Sequence, residues 1–218
     1  MYTSAQFSAT GADVDELLRN ANAADLTTNT VDGLQATYLP VIYDPDVGPH
    51  GSLLAHLARN NEQWKVPPIG EAMAIVRGPD AYITPSWYAS KREHGRVVPT
   101  WNYVTAHVYG ELRVHDDPAW VAAMVRRLTE RHEQGREHPW SVDDAPEKYL
   151  TGQLRAIVGV QLVISRVEAK FKLSQNRPAA DIDGVVAGLR TAGEDAMSAA
   201  VDTFRPDRLD ERSARKPA

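Results

Sequence analysis

The sequence predicts a mainly β protein, a small antiparallel β-barrel with peripheral helices, and three observations carry that expectation. Six or seven strand-like segments occupy the chain up to Asp116 with short, turn-rich connections, which leaves no room for the crossover helices of a parallel sheet. Asp32-Gly33 between two apolar segments is a hairpin signal. The segment Trp101–His115 alternates with period two, Tyr103, Thr105, His107 and Tyr109 on one face and Val104, Ala106, Val108 and Leu112 mostly on the other.

Taken in order, residues 10–21 read as a short helix in which Asp13 caps and Glu16 closes an Asp-x-x-Glu box. The hairpin arms follow at Leu26–Val31 and Leu34–Tyr43. Pro40 cannot donate to a ladder, so the second arm is expected at an edge or a bulge. Gly51–Ala58 is the third strand, and Arg59-Asn60-Asn61-Glu62-Gln63-Trp64 a helical turn. Glu71–Arg77 and Ala81–Thr84 read as two strands around Gly78-Pro79-Asp80. Asp117-Pro118 opens a helix that runs to about Gln134, with Gly135 as its stop. Asp144 and Pro146 open another, through about Arg155. Ile157–Lys172 is a long strand whose apolar parity shifts near Ser165-Arg166, the mark of a bulge. Helices around Ile182–Leu189 and Ala192–Phe204 precede a charged tail. The expected organisation is a domain over 1–190, a C-terminal helix at 191–204 and a mobile tail at 205–218.

Composition removes whole classes of function. The 218 residues include no cysteine, which excludes disulfides, thiolate nucleophiles and Cys-ligated metals. No apolar segment approaches the roughly 18 residues of a spanning helix, and the first eighteen residues lack Lys and Arg, so a cytoplasmic protein without a membrane association is expected. Net charge is -5, and the tail from Arg205 is basic, leaving the remainder near -7. Unaided binding of duplex DNA normally needs a basic footprint, so it starts at a disadvantage. There is no G-x-G-x-x-G, Walker loop, G-x-S-x-G or H-E-x-x-H, and the seven histidines show no metal-ligand spacing.

Three segments can carry chemistry. Arg59, Asn60 and Asn61 stand at a strand-to-helix junction, where free backbone N–H groups, a positive dipole end and a guanidinium fork suit a phosphate; capping by an Asn beside a solvated Arg is the plainer alternative. Thr84-Pro-Ser-Trp-Tyr88 and Val98-Pro-Thr-Trp-Asn-Tyr103 each set a Trp at a strand end, a flat wall for a planar heteroaromatic ligand or else core filling. Between them Ala89–Arg96 is a basic, Gly-containing loop. Phe171-Lys-Leu-Ser-Gln-Asn-Arg-Pro178 gathers donors at a strand exit.

With those residues stands Thr37-Tyr-Leu-Pro40, His56-Leu-Ala-Arg-Asn-Asn-Glu-Gln-Trp64, His107-Val-Tyr-Gly110 and Lys172-Leu-Ser-Gln-Asn-Arg-Pro178, and together they resemble the PaiB family, described as FMN-binding negative transcriptional regulators. The resemblance runs from about residue 1 to 190. It implies a split β-barrel of the pyridoxamine-phosphate-oxidase and flavin-reductase kind, assembled as a homodimer with FMN in clefts between subunits. Carried onto this chain, it puts Thr37, Tyr38 and Leu39 beside the isoalloxazine and His56, Arg59, Asn60 and Asn61 around the phosphate. Trp87, Trp101 and Asn102 would line or cover the ring, and Lys172, Gln175 and Asn176 would contact cofactor or substrate. Tyr38 replaces a more usual histidine, and Asn60 and Glu62 replace a small residue and a proline. No catalytic residue and no metal site is assigned.

Two functions from different classes follow: a PaiB-type regulator with DNA as partner, or an FMN-dependent oxidoreductase acting on a small molecule without direct DNA binding. A barrel that binds haem or a phosphorylated vitamin, with His56 or His94 as a ligand, is a third.

Overall fold

The computed structural model describes residues 1–208. Seven strands, β1 (Ala23–Thr30), β2 (Gly33–Pro40), β3 (Ile42–Asp44), β4 (Ser52–Ala58), β5 (Ala72–Ile83), β6 (Thr100–His115) and β7 (Ile157–Lys172), form one sheet in the order β2-β1-β5-β6-β7-β4-β3. β1 pairs antiparallel with β2 and with β5, β3 with β4, and β4 with β7. Helices α1 (Gly11–Asn20), α2 (Ser90–Glu93), α3 (Pro118–Glu133), α4 (Glu147–Arg155), α5 (Ala179–Thr191) and α6 (Asp195–Thr203) accompany them. None is long and apolar enough to cross a membrane.

The contacts divide into two units, and β5, β6 and β7 contribute residues to both. One unit comprises residues 15–76 and 107–168. Leu26, Leu39, Leu53, Ala74, Leu112 and Leu162, one from each of six strands, converge there on a single interior, so the sheet curls into a barrel. The void they leave is only about 10 Å³, about the space of one water, so the interior is packed core rather than a ligand chamber. Along β4 the alternate residue Leu54 turns outward onto Ile42 and Met124, where Trp120, Val125 and Leu128 complete the seat of α3. Trp120 stacks on His115 with centroids 4.0 Å apart. It lies over Gly159, where a Cβ would fall 2.2 Å from the indole.

The other unit comprises residues 1–14, 77–106 and 169–208 of the described chain. Ile182, Val185 and Leu189 of α5 and Met197 and Val201 of α6 are buried. The Ser198 hydroxyl donates to the Val186 carbonyl, and Phe171 meets Phe204 edge-on at 5.1 Å.

Several local expectations change for physical reasons. The cap of α1 lies one turn earlier than expected: Thr10 and Asp13 form the reciprocal box, Thr10 N–H donating to Asp13 and Asp13 N–H to the Thr10 hydroxyl. The segments at 71–77 and 81–84 are one strand, β5. Pro79 lies past Met73–Val76, the stretch of β5 that pairs with β1, so that ladder asks no donor of it. Pro40 ends the sheet-edge strand β2, as the sequence suggests. Asp117 caps α3 through Ala119 N–H with Pro118 in the first turn. Asp144 closes a box with Ser141 around a 3-10 turn, and α4 starts only at Glu147. β7 is continuous, and its burial alternation breaks at the exposed pair Ser165 and Arg166. Of the charged tail, residues 209–218 lie outside the described residues; Arg205 pairs with Asp183 and Asp207.

Candidate functional site

Within the barrel unit Arg59 is a hub. It follows β4, and its backbone N–H donates to Ala156 while its carbonyl accepts from the Trp64 indole. The guanidinium Nε donates to the Arg155 carbonyl at 2.7 Å and Nη2 to the Ile157 carbonyl at 3.1 Å. The remaining edge grips the Asp116 carboxylate with both terminal nitrogens, at 3.0 and 2.5 Å. That hydrogen bond holds Asp116 below the usual carboxylate range. Beside the pair lies a cavity of about 240 Å³ walled by Val121, Leu154 and Ile157.

The helix start expected after Arg59 is a single 3-10 turn, Glu62–Trp64, too short for a useful dipole. Asn61 caps it, its side chain accepting from Gln63 N–H. The Asn61 amide also donates to the Thr37 hydroxyl at 3.0 Å, and that hydroxyl donates to Gln63 Oε1 at 2.5 Å. Gln63 is buried and its amide reaches the Leu26 carbonyl and the Thr28 hydroxyl. Thr37, Asn61 and Gln63 are thus brought together as one network tying the turn to β1 and β2. Leu39 is buried in the barrel, whereas Tyr38, on the other face of β2 opposite Asp25, is 73% exposed. Asn60 is exposed. His56 is half-buried on the face of β4 that Leu54 occupies. Its Nδ1 is buried without a partner, and burial pushes its pKa below the ordinary value.

The remaining candidates belong to the other unit. Trp87 lies on α5, where Gly184 and Gly188 make room for it. Trp101 is half exposed, its indole N–H donating to Asp80 and its ring 6.3 Å from that of Tyr82. Asn102 is fully buried, and its amide donates to the Ser174 hydroxyl at 2.9 Å. Ser174 takes a left-handed conformation, φ 67°. Lys172 donates to the Trp101 carbonyl at 2.8 Å and to the Thr100 hydroxyl; burial, then Lys170 and Arg177, lower its pKa. No carboxylate among the described residues pairs with it. Gln175 clasps its own loop, accepting from Leu173 N–H and donating to the Phe171 carbonyl. Asn176 is exposed.

Three features of the barrel unit fit a phosphorylated planar ligand held outside the barrel: a guanidinium fork already engaged with an oxyanion, an orphaned imidazole nitrogen and an exposed tyrosine on the edge strand. No grouping of His, Asp and Glu among the described residues could hold a metal ion. Two residues of this network carry no local signal in the sequence. Gln63 sits in the His56–Trp64 motif but reads as polar surface, and Asp116 is 57 positions from the arginine it pairs with.

Comparison with known proteins agrees with this picture. Residues 1–166 match the family model described as "Putative FMN-binding domain". Protease synthase and sporulation protein PAI 2 of Bacillus subtilis is 31% identical over 192 residues, which cover 87% of this chain and 89% of that protein. An uncharacterised protein of Emericella nidulans is 29% identical over 219 residues, 84% of this chain and 87% of the other. Among solved structures, the FAD and heme binding protein from Mycobacterium smegmatis superposes with a TM-score of 0.55 at 17% identity, over 84% of this chain and 80% of that one, a likeness of fold. Motifs, barrel and family match converge: the chain belongs to the PaiB family of FMN-binding split-barrel proteins.

Proposed function

We propose that this chain is a homodimeric, PaiB-type transcriptional regulator that binds FMN between its subunits. In this reading Arg59 holds the phosphate with His56, Asn60 and Asn61, and Thr37, Tyr38 and Leu39 border the isoalloxazine. Trp87, Trp101, Asn102, Lys172, Gln175 and Asn176 serve the ring side. The observation that carries the reading is the Arg59 fork, pinned by the Arg155 and Ile157 carbonyls so that its free edge meets an oxyanion in bidentate geometry. Bound FMN would supply a redox-active ring; the chain's residues anchor the phosphate and set the ring's surroundings. The imidazole of His56, kept neutral by burial, offers its orphaned nitrogen as a hydrogen-bonding group without added charge. The test is a flavin absorption spectrum of the purified protein, or its acquisition on titration with FMN, together with the mass in solution. A monomer that takes up no flavin would remove the reading.

A second reading, an FMN-dependent oxidoreductase acting on a small molecule, is favoured by the charge balance. The chain is acidic, and α3 and α4 are joined by thirteen residues including a 3-10 turn, not the tight turn of a helix-turn-helix. Gel shifts at low salt against FMN-dependent NAD(P)H oxidation separate the two. A specific shift that fades with salt supports the regulator, and turnover without any shift supports the enzyme.

A further inference from the structure

We propose that Asp116 is a built-in competitor for the anion seat at Arg59 and sets its affinity by occupying it, so that a ligand phosphate enters only by displacing a carboxylate. This rests on the reading that the FMN phosphate goes to Arg59. Three of the guanidinium's contacts are fixed by geometry: Nε and Nη2 donate to the Arg155 and Ile157 carbonyls, and the Trp64 ring lies about 6.0 Å from the guanidinium carbon. The fork therefore cannot turn, and its exchangeable partner is Asp116. That side chain is 54% exposed, so swinging away costs it little desolvation. Nor does it carry the start of α3, which Asp117 caps. The cavity of about 240 Å³ beside the pair gives an incoming group room, and Arg155 at its rim has no carboxylate partner among the described residues.

The exchange is driven by charge. A phosphate monoester brings two negative charges and three oxygens against the single charge of Asp116, and Arg155 adds to its attraction. An unphosphorylated flavin brings neither and leaves the Arg59–Asp116 pair closed. Asp116 thus lowers the absolute affinity for FMN, leaves that for riboflavin untouched, and so narrows the gap between the two.

The experiment is a fluorescence titration of the full chain with FMN and, separately, riboflavin at low ionic strength, with inorganic phosphate as competitor. Asp116→Asn is expected to tighten FMN about two- to fivefold, the scale of one exposed ion pair, and to leave riboflavin unchanged. Inorganic phosphate should compete better by a similar factor. Asp116→Ser serves as a second variant, and thermal melts confirm that both fold. Unchanged or weaker FMN binding in the folded variants overturns the proposal, weaker binding meaning that Asp116 positions Arg59 instead. Failure of the underlying reading shows separately, as FMN affinity that is unaltered in Arg59→Ala.

Discussion

The indole of Trp87 lies against Gly188 so closely that a methyl group there would fall 2.3 Å from its ring. Gly184, one turn earlier on α5, is roofed by the Trp87 carbonyl in the same way. The pair of glycines is a groove cut for one side chain, which fixes the 3-10 turn Pro85–Trp87 on α5. Gly188→Ala must push the ring or the helix aside. It is expected to cost about 1–3 kcal/mol, the range for overpacking, despite alanine's better helix propensity. Urea unfolding measures it, and a neutral or stabilising change would show that Trp87 is held elsewhere.

Those glycines show where sequence reading stops. Strands, hairpin and helices were legible because each follows from a short local pattern: period two in β6, Asp32-Gly33, and Asp117-Pro118. Pairing across long separations leaves no such trace. Gly184 and Gly188 read as weak helix positions until Trp87 is seen on them. Arg59 reads as a free cation until Asp116 and two carbonyls are seen on it. Asn102 and Gln175 sit in the motif-rich segments, yet their amides stitch the loop after β7 to itself and to β6. The motif identified the family from residue identity alone, and only geometry distinguishes motif residues that hold the fold from those with donors to spare.

Gln63 is the clearest residue of the first kind. Its amide donates to the Leu26 carbonyl and the Thr28 hydroxyl, its carbonyl accepts from Thr37, and its backbone N–H is taken by Asn61. Gln63→Leu keeps the volume and strands those buried partners. A loss of about 1–3 kcal/mol is expected, with no compensation from the added apolar surface. A chemical-denaturation midpoint equal to the wild type would show that water replaces the amide.

His56 predicts an acid-sensitive stability. Burial lowers its folded pKa below the ordinary 6.5, and its Nδ1 has no partner to repay a charge. The unfolded chain therefore binds more protons between the depressed folded value and 6.5, so stability rises with pH through that window and is lost as pH falls through it. His56→Gln cannot titrate. Comparing urea midpoints at about pH 7.5 and 5 should show a smaller acid loss in the variant than in the wild type. Equal losses would show that His56 does not supply the sensitivity.

Arg59→Lys separates the charge of Arg59 from its shape. Lysine keeps the positive charge that a phosphate seeks, but three donors on one nitrogen cannot span the Arg155 carbonyl, the Ile157 carbonyl and both Asp116 oxygens at once. If the fork serves only as a point charge, FMN affinity survives the change. If its planar geometry joins β4 to the start of β7 while presenting one edge to an anion, two effects arrive together. Stability without flavin falls by about 1–2 kcal/mol, and FMN binding weakens by about 1.5–3 kcal/mol, the range for hydrogen bonds to charged groups. The second outcome is expected, because the carbonyl contacts that aim the fork are the ones lysine gives up. A variant that melts like the wild type and binds FMN equally well would reduce Arg59 to a surface cation.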